Sequence, residues 1–154
     1  MSIKMSMIAM VLVSGAAFAG HGGHGGDDGG PVVLPQNSSN ETINIYQEGA
    51  GNGASVDQGS SQYASVNIGQ KGSNNYATAT QSGAYNSDIN VSQTGKNNSS
   101  SSYQTGDNST INVNQSTLHG WGGSNSSNVT QTADSSIVNV TQLGNANWAN
   151  AYQH

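Results

Sequence analysis

The segment Ser136–Gln153 reads SIVNVTQLGNANWANAYQ. Val138, Val140 and Gln142 share one parity, with Asn139 and Thr141 between them; beyond Gly144 the alternation resumes with Asn147, Ala149, Ala151 and Gln153. Period-two alternation of β-branched and polar residues marks a half-buried strand, whereas a helix would repeat its apolar positions every three to four residues. Glycine between two such runs marks a turn. The segment therefore reads as strand, turn, strand.

The same unit recurs upstream. Gln47, Gln70, Gln93, Gln115 and Gln142 lie 23, 23, 22 and 27 residues apart. A second series, Gln58, Gln81, Gln104, Gln131 and Gln153, follows the first at an offset of 11, except for one offset of 16. The long interval and the long offset have one cause, five extra residues within Thr117–Ser124, around Leu118, His119 and Trp121. Five units result, at 41–58, 64–81, 87–104, 109–131 and 136–153. Each opens with aliphatics of the same parity as its first glutamine: Ile43 and Ile45, Val66 and Ile68, Ile89 and Val91, Ile111 and Val113, Val138 and Val140. Asn44, Asn67, Asn90, Asn112 and Asn139 occupy the opposite parity, and Gly49, Gly72, Gly95 and Gly144 mark the turns. A fixed period of this size is the signature of a solenoid.

One unit cannot fold alone. Its three or four buried aliphatics contribute under roughly 10 kcal/mol, and ordering its backbone costs about 1–2 kcal/mol per residue. Stacking at about 4.8 Å adds main-chain hydrogen bonds above and below and aligns equivalent side chains. Inward amides then find partners in the next unit, with donor and acceptor both met. The expected fold is an all-β solenoid, or β-helix, of five strand–turn–strand rungs, its two parallel sheets enclosing a thin Gln/Asn/aliphatic core. The expected ladder residues are Gln47, Gln70, Gln93, Gln115 and Gln142; Gln58, Gln81, Gln104, Gln131 and Gln153; and Asn52, Asn75, Asn98, Asn125 and Asn147. A soluble solenoid caps its ends, because an end rung exposes unpaired backbone groups. The units at 41–58 and 136–153 have no cap pattern beside them, so both ends are expected to accept a further rung. Polymerisation through these ladders follows. The first and last rungs are expected to drive addition, while the third, with Ser99–Ser102 in its second half, is poorly filled.

The first 19 residues have another role. Lys4, the apolar run Met5–Val13 and the small-residue pair Ala17 and Ala19 form a secretory signal peptide, cut before Gly20. The run is much shorter than the roughly 20 residues that span a bilayer, so no membrane insertion is expected. Residues 20–40 read as a flexible Gly/His-rich leader and 41–154 as the repeat domain. The part after residue 19 carries Lys71 and Lys96 against eight acids, and no arginine or cysteine. Two lysines cannot neutralise a phosphate backbone, so nucleic acid is not an expected partner. Scattered carboxylates without a base or nucleophile motif give catalysis no foothold, so no enzyme activity and no cofactor are expected. His21 and His24, beside a free Gly20 amine, are weak candidates for binding copper or zinc. No metal site is expected elsewhere.

The order Ser-x5-Gln-x-Gly-x2-Asn-x-Ala-x3-Gln resembles the curlin repeat. Ser136, Gln142, Gly144, Asn147, Ala149 and Gln153 fit it throughout. Over 41–153 the chain is similar to the major fibre subunit of the curlin family. Elsewhere Glu41 and Ala64 replace the opening serine and Ser100 and Ser127 the alanine, while the fourth unit has its insertion and lacks the glycine. The resemblance implies an extracellular amyloid fibre (curli) at the surface of a Gram-negative bacterium, reached through the periplasm, that supports biofilm matrix, surface adhesion and cell aggregation. It also implies self-association, a minor nucleator subunit and an outer-membrane secretion pore as partners; matrix or host surface proteins are further ones. The alternatives are that nucleator subunit itself, which would carry an irregular basic last repeat, or a soluble solenoid adhesin or ice-binding protein, which would present a regular threonine array and capped ends.

Overall fold

A computed structural model of the chain describes residues 7–11, 32–33, 40–117 and 123–154. Ten strands form the repeat: β3 (Thr42–Ala50), β4 (Gly53–Gly59), β5 (Ser65–Ser73), β6 (Tyr76–Ser82), β7 (Asp88–Lys96), β8 (Ser99–Gln104), β9 (Thr110–Ser116), β10 (Asn125–Gln131), β11 (Ile137–Leu143) and β12 (Asn147–Gln153). Two more precede them, β1 (Met7–Val11) and β2 (Val32–Val33). The odd strands make one sheet in the order β1-β3-β5-β7-β9-β11, and the even strands the other, β12-β10-β8-β6-β4-β2. All pairs from β3 to β12 are parallel. The chain alternates between sheets with every strand, so each pair of strands is one rung of a five-rung β-solenoid.

Register is held by the repeat. Gln47 pairs with Gln70, Gln70 with Gln93, Gln93 with Gln115 and Gln115 with Gln142, despite the 27-residue interval of the last step. The extra residues are thus absorbed between β9 and β10 without disturbing either ladder; Leu118–Gly122 lie outside the described residues. A one-residue slip would turn every Gln and aliphatic outward, and burial opposes it. The core is a thin column: Val66, Ile89 and Ile111 from one sheet meet Val56, Ala77, Ala79 and Val129 from the other.

The arcs between strands repeat as faithfully as the strands. A left-handed backbone recurs at Asn40, Tyr63, Asn86, Asn108 and Ser135, and again at Gly51, Asn74, Asn97 and Ala146. Asparagine and glycine are the residues that enter this region at least cost. Gly49 and Gly72 have a second requirement. A Cβ on Gly49 would overlap the carbonyl of Gly72, and one on Gly72 the carbonyl of Gly95. The arcs stack backbone on backbone there.

The first rung differs from the expectation of two open ends. β1, within the expected signal peptide, pairs antiparallel with Ile43–Gln47, and β2, within the expected leader, pairs parallel with Val56 and Asp57. An edge strand attracts any segment able to pair with it. Beyond the last rung no described residue pairs with β11 or β12. The two ends of the stack are therefore unequal. Residues 1–6, 12–31 and 34–39, the remainder of the expected signal peptide and leader, lie outside the described residues.

Candidate functional site

The first Gln series runs up the odd sheet as one hydrogen-bonded chain. Gln47 Nε2 donates to Gln70 Oε1 at 2.6 Å, Gln70 to Gln93 at 2.7 Å, Gln93 to Gln115 at 2.8 Å and Gln115 to Gln142 at 2.7 Å. The second N–H of each amide crosses to the other sheet: Gln70 to the Gly53 carbonyl, Gln93 to Tyr76, Gln115 to Ser99 and Gln142 to Ser126. That cross-sheet bond fixes which end of the amide is nitrogen, because a carbonyl accepts only from N–H. The second series forms the same amide-to-amide chain from Gln58 through Gln81, Gln104 and Gln131 to Gln153, with second bonds from Gln81 to the Ser87 carbonyl and from Gln131 to Ser136 Oγ. Gln58, Gln70, Gln81, Gln104, Gln115 and Gln131 are fully buried. Charge-free amides tolerate this where donor and acceptor are both met; Gln58 is the exception, its Oε1 having no donor among the described residues.

The inner Asn series runs the opposite way. Asn75 Nδ2 donates to Asn52 Oδ1, Asn98 to Asn75, Asn125 to Asn98 and Asn147 to Asn125. Backbone N–H groups of Asn75, Asn98 and Asn147 donate to the same side-chain oxygens. A further ladder lies on the outer face, where Asn44 donates to Asn67, then on through Asn90 and Asn112 to Asn139. Strand parity places it outside, although its amides pair as the inner ones do.

One column was missing from the expected ladders. Ser87 Oγ donates to the Gly106 carbonyl and Ser109 Oγ to the Ala133 carbonyl, while the N–H groups of Ser109 and Ser136 donate to Ser87 and Ser109 Oγ. These serines open their units and tie the arcs between rungs. Their spacing is visible in the sequence as the opening Ser of the repeat, but side-chain parity says nothing of arcs. Asp107 and Asp134 accept the N–H of Tyr85 and Asp107 in the neighbouring arc.

The interior is not uniformly satisfied. Ser100, Ser102 and Ser127 are buried in the third and fourth rungs, and their hydroxyls have no partner among the described residues. Their columns hold Ala or Val in the other rungs: Ala54, Ala77 and Ala149 in one, Val56, Ala79 and Ala151 in the other. An unpaired buried hydroxyl costs about 1–3 kcal/mol, so the middle of the stack is its least favourable part.

At the ends the same columns open to water. Ile45, Gln47, Val138, Asn147, Ala149, Ala151 and Gln153 are only half-buried. The last rung also turns Ile137, Leu143, Trp148 and Tyr152 outward, each at least 65% exposed. On the first rung, Tyr46 donates to Glu48 Oε2; this hydrogen bond, and then the negative charge of Glu48, raise the Tyr46 pKa. Glu48 also pairs with Lys71 of the next rung at 3.3 Å. His21 and His24 lie outside the described residues, and among those described no cluster of His, Cys, Asp or Glu could hold a metal ion.

Residues 85–116, covering the third rung and the first strand of the fourth, match the curlin associated repeat. No curated protein matches the chain.

Proposed function

We propose that this chain is a curlin-family structural subunit that assembles with copies of itself into an extracellular amyloid fibre. The observation that carries the reading is the last rung. Its strands keep the register of the four rungs before it, most of its inward residues are only half-buried although Val140 and Gln142 stay buried, and no described residue pairs with its far edge. A parallel stack that ends in an unpaired edge of its own period is a template for another copy. The match to the curlin associated repeat supports the family.

The regular, neutral last repeat favours the major subunit over the nucleator. By resemblance, the partners are a surface-held nucleator and an outer-membrane secretion pore, and the fibre lies at the surface of a Gram-negative cell. There it supports biofilm matrix, adhesion and cell aggregation. Export requires the segment 1–19 to act as a signal and be removed, which also takes β1 from the edge of β3. The fifteen ladder residues are then the polymerisation residues and the protein has no catalytic role.

Purified chain incubated in dilute buffer is expected to form unbranched filaments by electron microscopy, with reflections near 4.8 and 10 Å, the strand and sheet spacings. A chain that stays monomeric at high concentration contradicts the reading.

A further inference from the structure

Six tyrosines lie along the chain, at 46, 63, 76, 85, 103 and 152. Four of them stand on strands, where the paired residue in a neighbouring rung is a glycine, serine or threonine. Stacking thus keeps those four phenol rings off one another. Tyr63 and Tyr85 differ. They lie in arcs, between β4 and β5 and between β6 and β7, and their rings touch edge to face, centroids 5.5 Å apart at 73°. No other two tyrosine rings meet among the described residues. Both rings are about half exposed.

The backbone holds the pair from both sides. Gln62 bridges Tyr85 in parallel; its N–H donates to the Ala84 carbonyl at 3.0 Å and its carbonyl accepts from Asn86 at 2.9 Å. The Tyr85 N–H donates to Asp107 Oδ1 at 2.9 Å. Tyr63 has a φ of +52°, in the arc position that Asn40, Asn86 and Asn108 fill elsewhere. A bulky side chain rarely takes that region, and an outlier held there by its surroundings points to a use for the residue.

We propose that Tyr63 and Tyr85 form a modification site, an oxidative coupling pair that ties one arc to the next by a dityrosine bond within one copy. The co-reactant is hydrogen peroxide turned over by a haem peroxidase. Each phenol gives up one electron and its O–H proton, and the two phenoxyl radicals join through ring carbons ortho to oxygen. The hydrogen on each joined carbon then returns to oxygen, restoring both O–H groups. The pair loses two electrons and two protons in all, which reduce one peroxide to two waters. Exposure lets the oxidant reach the rings, and their contact lets them couple before either meets a second copy. The bond closes residues 63–85, which hold β5 and β6, so the second rung becomes a covalent ring. A cross-link of this kind restricts the unfolded chain, and it acts whether or not the copy stands in a fibre.

The test treats an equal mixture of light and isotopically heavy full chain with a haem peroxidase and hydrogen peroxide. Lys71 and Lys96 place Tyr63 and Tyr85 in different tryptic peptides. Mass spectrometry is expected to find the peptide ending at Lys71 joined to 72–96 with loss of two hydrogens, the link mapping to Tyr63 and Tyr85. Its halves are expected to be both light or both heavy. Tyr63→Phe and Tyr85→Phe, which keep the rings, should each abolish this species, while Tyr76→Phe leaves it unchanged. Oxidised chain should also unfold at higher urea than oxidised Tyr63→Phe chain. Oxidation carried out in urea should scatter the link over the other tyrosines. Mixed light and heavy halves, a link that persists in either arc variant, native links as scattered as those in urea, an unshifted urea midpoint or no link at all would each overturn the proposal. None of these outcomes bears on fibre formation, which the unsubstituted, unoxidised chain tests separately.

Discussion

Gly72→Ala is expected to destabilise the chain by more than about 3 kcal/mol and to separate the second rung from the third. Two causes add at this position. Its φ of +123° lies where a side chain is strained, at about 1–3 kcal/mol. The new Cβ would also overlap the carbonyl of Gly95, which is backbone and cannot swing aside. Two other glycines separate the causes. Gly83 has φ of +68° with nothing within 4 Å, so Gly83→Ala carries the backbone cost alone, about 1–2 kcal/mol. Gly69 faces outward at ordinary φ, its nearest atom the Val91 carbonyl oxygen at 4.0 Å, and Gly69→Ala should stay within about 0.5 kcal/mol. Urea midpoints of the three variants, measured on monomer before assembly, are expected to fall in the order Gly69, Gly83, Gly72. A Gly72 variant no weaker than the Gly83 variant would show that the arcs do not pack backbone on backbone.

Gln93→Ala should cost about 4 kcal/mol, counted as buried groups left unmet at about 1–3 kcal/mol each. Three partners lose a bond at once: Gln70 its acceptor, the Tyr76 carbonyl a donor and Gln115 Oε1 a donor. Gln142→Ala strips only Gln115 and the Ser126 carbonyl, at a rung where water can replace them. In monomer the Gln142 variant is therefore expected to lose about 2 kcal/mol, half the effect. Denaturant titration of both checks the ratio. Equal losses would mean that the ladder amides contribute individually rather than through their shared chain of bonds.

Much of this geometry was legible in the chain. Alternation at Ile43, Ile45 and Gln47, and its recurrence to Val138, Val140 and Gln142, specifies strands, inward faces and register together, because a buried face tolerates no slip. The arcs were less legible. Parity reports which way a side chain points, not the sign of φ. Asn74 and Asn97, which take left-handed conformations in the arcs, look no different in composition from Asn75 and Asn98, which stand inside the ladder. The column of Ser87, Ser109 and Ser136 was visible as a spacing, but its role in tying the arcs was hidden for the same reason. Ladder direction could not be read either, since it depends on which carbonyl across the core faces each amide, as Gly53 faces Gln70. Nor does alternation within a repeat tell what will lie against the edge of Thr42–Ala50.

The measurement that bears most directly on polymerisation by continued stacking is mass per unit length of single filaments. Five rungs per chain, each about 4.8 Å deep, place one chain in about every 24 Å of filament. That value is expected for every filament one solenoid wide. One chain in about every 4.8 Å, the value for extended chains layered in register, would contradict it.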